Sequence, residues 1–104
     1  MKIAFFSSKP YDELFFRKEN EKYNFELNFF DTNLSSHVVN ALEDEIAICV
    51  FVNDIVDRNV IKILAKKGVR IIALRCAGFN NVDLEAAKEY GIKVCRVPAY
   101  SPEA

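Results

Sequence analysis

The residues able to do chemistry fall into a few short stretches. The densest is Arg75-Cys76-Ala77-Gly78-Phe79-Asn80-Asn81, lodged between an apolar run and an amphipathic segment. Gly78 permits positive φ and close backbone approach. Asn80 or Asn81 can cap the helix that follows, with Asp83 near its first turn. Successive backbone N–H groups around Ala77 and Gly78, beside a helix start, suit a small anion such as a carboxylate. The plain alternative is a tight turn. Arg75 either adds positive charge to such a pocket or pairs with a surface acid. Cys76 sits where a neighbouring arginine and a helix start lower a thiol pKa. A nucleophile also needs a base, and the single histidine, His37, belongs to another, solvated helix start. Tyr100 stands between Pro98 and Pro102, which stiffen the segment on both sides. It either offers its hydroxyl to a ligand or covers the sheet edge as a half-buried aromatic.

These residues depend on the elements that carry them. Apolar runs at Lys2 to Phe6, Phe25 to Phe30, Ile46 to Val52, Arg70 to Leu74 and Lys93 to Val97 are rich in Ile, Val and Phe. Nearly continuous runs of this kind are strands covered on both faces. Between them, Tyr11 to Lys22, Ser36 to Glu43, Asp57 to Lys67 and Val82 to Tyr90 have helical spacing. Leu14, Phe15 and Phe16 mark the first of these. Val38, Val39 and Leu42 mark the second, and Val60, Ile61 and Leu64 the third. Leu84, Ala87 and Lys88 mark the fourth. Asp57 can cap the third helix, and Gly68 and Gly91 stand where left-handed C-terminal caps are wanted. Helices that stop at glycine and feed a strand indicate repeated βαβ units and a parallel sheet. The expected fold is α/β and flavodoxin-like. Its five-stranded parallel sheet has order 2-1-3-4-5 and helices on both faces.

Ligands bind outside the carboxyl ends of such strands. That rim collects Ser7, Ser8 and Lys9, then Asn53 and Asp54, then Arg75 to Asn81, then Pro98 to Ser101.

The totals exclude several classes. With 104 residues the chain suits one small domain. A net charge of −1 leaves no basic footprint for nucleic acid. No apolar run approaches a bilayer span, and the short run before Ser7 does not fit a signal peptide. A cytoplasmic protein is expected. The three cysteines, Cys49, Cys76 and Cys95, lack the spacing of a metal site or a disulfide framework. Cys49 and Cys95 are expected to be small buried hydrophobes in strands.

Ser101-Pro102-Glu103-Ala104 reads as a helix beginning, with an N-cap, a proline at the first position and an acid at the positive end. One turn cannot stand as a helix. The expectation is a chain cut from a longer one.

The stretches Ala73-Leu74-Arg75-Cys76-Ala77-Gly78-Phe79-Asn80-Asn81-Val82-Asp83-Leu84 and Val97-Pro98-Ala99-Tyr100-Ser101-Pro102-Glu103-Ala104 closely resemble the D-isomer-specific 2-hydroxyacid dehydrogenases. Lys2-Ile3-Ala4-Phe5-Phe6-Ser7-Ser8 and Val50-Phe51-Val52-Asn53-Asp54 are similar too. Within the family the likeness is to the fermentative D-lactate branch. The resemblance implies a partial substrate-binding domain over residues 1–104, followed elsewhere by an NAD-binding Rossmann domain. It implies that backbone N–H groups of Ala77 and Gly78 hold the carboxylate of a small 2-oxoacid or 2-hydroxyacid, with Tyr100 beside it. Arg75 and Cys76 flank that site.

The family's catalytic histidine, its acidic partner and its substrate arginine come from later positions. So does its G-x-G-x-x-G loop, which this sequence lacks. No catalytic residue, bound cofactor or metal is therefore expected on this chain, and neither His37 nor Arg75 is promoted to an absent role. Exposed apolar surface predicts self-association of the chain, or a homo-oligomer of its parent.

The alternative is a stand-alone flavodoxin-like binding or signalling module. Asp54 could pass for a receiver aspartate and Ser7-Ser8-Lys9-Pro10 for a thin flavin phosphate loop. The first strand lacks the receiver's acidic pair, and the fifth carries Arg96 with no lysine at its end.

Overall fold

The computed structural model describes residues 2–51, 54–75 and 81–96. Alternation of strand and helix runs through all of them. The elements are β1 (Lys2–Phe5), α1 (Pro10–Asn20), β2 (Glu26–Phe29), α2 (Ser36–Val39), β3 (Ala47–Val50), α3 (Arg58–Lys66), β4 (Ile71–Leu74), α4 (Leu84–Glu89) and β5 (Lys93–Arg96). The strands form one sheet in the order β2-β1-β3-β4-β5, every neighbour parallel. This is the expected doubly wound order.

Side-chain alternation divides the sheet into two unlike faces. Ala4, Ile48 and Ile72 lie in register and are fully buried. They form one core with Val39 of α2, Val60, Ile61 and Leu64 of α3, and Ala86 and Ala87 of α4. The opposite face carries the register row Phe29, Phe5, Cys49, Ala73 and Cys95. Here α1 packs over Phe5, with the Phe16 ring centroid 4.6 Å away. Phe29 stacks on Phe5 from β2, also at 4.6 Å. Burial along the row falls toward β5: Phe5 and Cys49 are buried, Ala73 is intermediate and Cys95 is exposed. Cys95 thus departs from the expected buried thiol, because β5 is an edge strand and α1 reaches only the other half of this face.

The helix ends follow their caps. Asp57 accepts from Val60 N at 3.0 Å and starts α3. At its far end Gly68 has φ +92, and Val69 N bonds Leu64 O while Gly68 N bonds Ala65 O. Gly91 repeats the pattern after α4, with φ +74 and Ile92 N on Ala87 O. Both are Schellman closures, each turning a helix straight into a strand. Other ends differ from the sequence reading. α1 stops at Asn20 because its side chain binds both Phe25 N and Phe25 O, which reverses the chain. α2 ends at Val39, and tighter bonds from Ala41 to Val38 and from Leu42 to Val39 follow. Asp83, not Asn81, caps α4 through Ala86 N, and Asn80 lies outside the described residues. α4 buries Ala86 and Ala87 and leaves Leu84 largely exposed.

Burial pushes the Cys49 thiol up to about 12, partly offset by the Arg75 charge. Its folded pKa lies above the unfolded one, so its contribution to stability is complete below about pH 8.5. That contribution declines as pH rises toward the folded value. Iodoacetamide labelling read by peptide mass spectrometry is expected to modify Cys95 in the native chain and Cys49 only after denaturation. Native labelling of Cys49 would contradict this packing. Gly68→Ala is expected to cost about 1 kcal/mol in urea unfolding, since alanine resists that φ. An unchanged midpoint would count against the Schellman assignment.

Candidate functional site

The carboxyl edge of the sheet holds a connected set of polar groups. Ser7 follows β1 with φ +54, a left-handed conformation that costs energy in a residue with a Cβ. Three contacts hold it there. Its N–H donates to Thr32 O at 2.8 Å, and its Oγ lies 2.7 Å from both Asp54 Oδ1 and the Asn33 amide. A hydroxyl has one proton. It can therefore donate to only one of the two oxygens, Asp54 Oδ1 or Asn33 Oδ1, at a time. Ser8 Oγ, next along the chain, is buried and has no hydrogen-bond partner among the described residues.

Asp54 is fully buried. Its Oδ1 also accepts Leu34 N at 2.8 Å, and its Oδ2 accepts Phe51 N at 2.8 Å. Asn81 donates its Nδ2 to Phe51 O at 3.0 Å and to Asp54 O at 2.8 Å. The sequence reading put Asn81 forward as a helix cap; it instead ties the start of α4 to the end of β3.

Arg75, at the end of β4, is the second buried charge. Its Nη1 lies 3.1 Å from Asp12 Oδ2, and both side chains are almost wholly out of solvent, at 0% and 3% exposure. That contact is an ion pair without hydrogen-bond alignment, for Nη1 makes no hydrogen bond. Nη2 donates to Phe6 O, and the guanidinium carbon stands 5.5 Å from the Phe51 ring centroid. Asp12 is the third residue of α1 and also accepts Lys9 N at 2.8 Å. One carboxylate therefore caps α1 and neutralises Arg75. The acid that pairs with Arg75 is a buried one, not the surface acid considered from sequence.

Of the sequence-predicted site residues, Arg75 lies within the described residues and faces inward. Cys76, Ala77, Gly78 and Tyr100 lie outside the described residues. His37 is exposed on α2, away from these groups in the chain. Sequence reasoning passed over Asp12 and the role of Asp54. The spacing of Asp12 three residues after Lys9, with Pro10 between them, is a capping signal that was available. The alternative uses of these positions fail on geometry. A phosphoacceptor aspartate must be reached by its donor, and Asp54 is at 0% exposure. A flavin phosphate at the start of α1 would meet the Asp12 carboxylate already there. Among the described residues no group of His, Cys, Asp and Glu could hold a metal ion, and no helix is long and apolar enough to cross a membrane.

The described rim is thus a cross-linked frame, and neither Asp12 nor Asp54 is open to a ligand. Comparison with known proteins decides what kind of frame it is. Residues 3–104 match the family model described as D-isomer specific 2-hydroxyacid dehydrogenase, catalytic domain.

The chain belongs to the D-isomer specific 2-hydroxyacid dehydrogenases.

Among relatives in this dehydrogenase family, the D-lactate dehydrogenase of Escherichia coli is 54% identical over 104 residues, which is 100% of this chain and 32% of that protein. The apo-structure of D-lactate dehydrogenase from Escherichia coli superposes with a TM-score of 0.92 at 53% identity, covering 99% of this chain and 33% of that one. The D-isomer specific 2-hydroxyacid dehydrogenase from Lactobacillus delbrueckii ssp. bulgaricus, solved in its NAD complexed form, superposes at 0.83 with 28% identity, covering 98% of this chain and 31% of that one. The chain therefore spans about a third of the length of these dehydrogenases.

The Arg75–Asp12 pair yields a stability test. Arg75→Met strands the Asp12 carboxylate in the interior and is expected to cost about 3 kcal/mol or more. Adding Asp12→Asn removes the stranded charge and should recover part of that loss. Urea denaturation measures both. A double variant as unstable as the sum of the singles would show that the two residues are not coupled.

Proposed function

We propose that this chain is the substrate-binding part of an NAD-dependent D-lactate dehydrogenase. In this reading residues 1–104 belong to the substrate domain, and an NAD-binding Rossmann domain lies in the remainder of the parent protein. The supporting observation is the likeness to D-lactate dehydrogenase along the whole chain, joined to a parallel sheet whose carboxyl edge is locked in place. The parent would reduce pyruvate to D-lactate, with hydride passing from NADH to the carbonyl carbon and a proton to its oxygen.

The division of labour follows from the residues present. Backbone N–H groups at Ala77 and Gly78 are assigned to the substrate carboxylate, and Tyr100 to its flank. Arg75 immediately precedes that turn in the chain, and its guanidinium is turned to Asp12 and Phe6. Cys76 adjoins it in the chain. The residues do not fit a dinucleotide. A Rossmann cradle needs a glycine-rich first turn. Here the first turn is Ser7-Ser8-Lys9-Pro10, and Gly68 and Gly91 are helix caps. No step of hydride transfer is therefore assigned to this chain. The free thiols at Cys49 and Cys95 fit a reducing compartment, and the cytoplasm is the proposed location.

Two outcomes are expected. NADH oxidation with pyruvate, followed by absorbance and chiral analysis of the product, should give D-lactate with the parent and no turnover with the isolated chain. Turnover by the isolated chain, or a parent inert to 2-oxoacids, would sink the assignment. The half-covered face around Ala73 and Cys95 supports self-association of the isolated chain. Light scattering should find a dimer or larger species, and a monomer at high concentration would count against it.

A further inference from the structure

Four separate loops meet at one buried residue. The Asp54 carboxylate takes Ser7 Oγ from the loop after β1, Leu34 N from the loop after β2, and Phe51 N from the end of β3. Its own carbonyl takes Asn81 Nδ2 from the loop after β4, and Asn81 O in turn accepts Val56 N at 2.8 Å. The three donors to the carboxylate, one hydroxyl and two backbone N–H groups, are all neutral. An apolar residue of the same size would leave one hydroxyl and two backbone N–H groups buried and unpaired. The carboxylate therefore specifies one mutual arrangement of these loops, all at the edge where open parallel sheets bind their ligands.

The segment assigned to the substrate carboxylate is bounded in the chain by Arg75 and Asn81. Both flanks are pinned: Arg75 on Asp12 and Phe6, Asn81 on Phe51 and Asp54. We infer that Asp54 is a positioning residue for substrate binding, which sets the far flank of that turn against the loops after β1, β2 and β3. The inference rests on the dehydrogenase reading above and adds to it a residue that never touches the substrate.

Asp54→Asn keeps the shape but must point an NH2 group at one of the existing donors. A suitable control is Glu45→Gln. Glu45 precedes β3, at the opposite edge, and is likewise a buried carboxylate served by neutral donors, Glu43 N and Asn28 Nδ2. The experiment uses the full-length parent enzyme and measures KM for pyruvate, KM for NADH, kcat and melting temperature. Both variants are expected to melt earlier. Only Asp54→Asn should raise KM for pyruvate, by about tenfold, since small misplacements of binding groups carry penalties of that order. Its KM for NADH should stay within about twofold of wild type on the same argument. Ser7→Gly covers the case in which Asp54→Asn does not fold. It removes one donor at a φ that glycine accepts, and should raise KM for pyruvate by about threefold.

An active wild type whose pyruvate KM is unmoved in Asp54→Asn, or in Ser7→Gly where only that variant folds, would overturn the positioning role and leave the dehydrogenase reading standing. So would an equal KM rise in Glu45→Gln. A wild type inert to 2-oxoacids would overturn the dehydrogenase reading, and the positioning role with it.

Discussion

A carboxylate removed from water must regain from the protein the hydrogen bonds it gives up. At Asp54 it regains them from Ser7, Leu34 and Phe51, and no two of these come from the same loop. That requirement carries through the rest of the edge. Ser7 holds its left-handed backbone because its hydroxyl is wanted there. Asn33 is drawn in beside Ser7, and Asn81 reaches across to the end of β3. The isolated bridge between Val56 and Val82 continues the same seam toward α4. Loops that would otherwise vary independently share one solution.

Arg75 and Asp12 make a second knot of the same type, with a different balance. Here opposite charges meet, and the acid also serves as a cap for α1. One link thus joins the helix on one face of the sheet to the residue that follows β4. The amino edge is built otherwise. Lys2 pairs there with Asp44 at 2.9 Å and with Glu26 at 3.4 Å, and both acids are exposed. Such pairs contribute little to stability and specify little.

The sheet order was legible from the rhythm of apolar runs and from Gly68 and Gly91, since those signals are local. Burial of Asp12, Asp54 and Arg75 was not. Charged residues ordinarily read as surface, and what makes these three interior is a set of partners far off in sequence, such as Ser7 for Asp54 and Asp12 for Arg75. Cys95 was misjudged for a related reason. Nothing in Lys93-Val94-Cys95-Arg96 says that the strand will lie at an edge, or that the helix above it will cover only the other half of the face. Asn81 shows the limit of cap signals. Asp83 is two residues on, and tertiary demand for the Asn81 amide left the capping to it.

Strand β1 occupies the second place in the sheet although its residues come first in the sequence. One neighbour, β2, follows within the same βαβ unit, but the other side stays open until Ala47 to Cys49 have been made. During synthesis β1 is therefore an unprotected edge until β3 emerges. Ile3, Phe5 and Phe6 are the residues that a holdase chaperone would find exposed on the nascent chain. Pairing of β3 against β1 ends that exposure, and in the folded chain Asp54, four residues past β3, reaches Ser7.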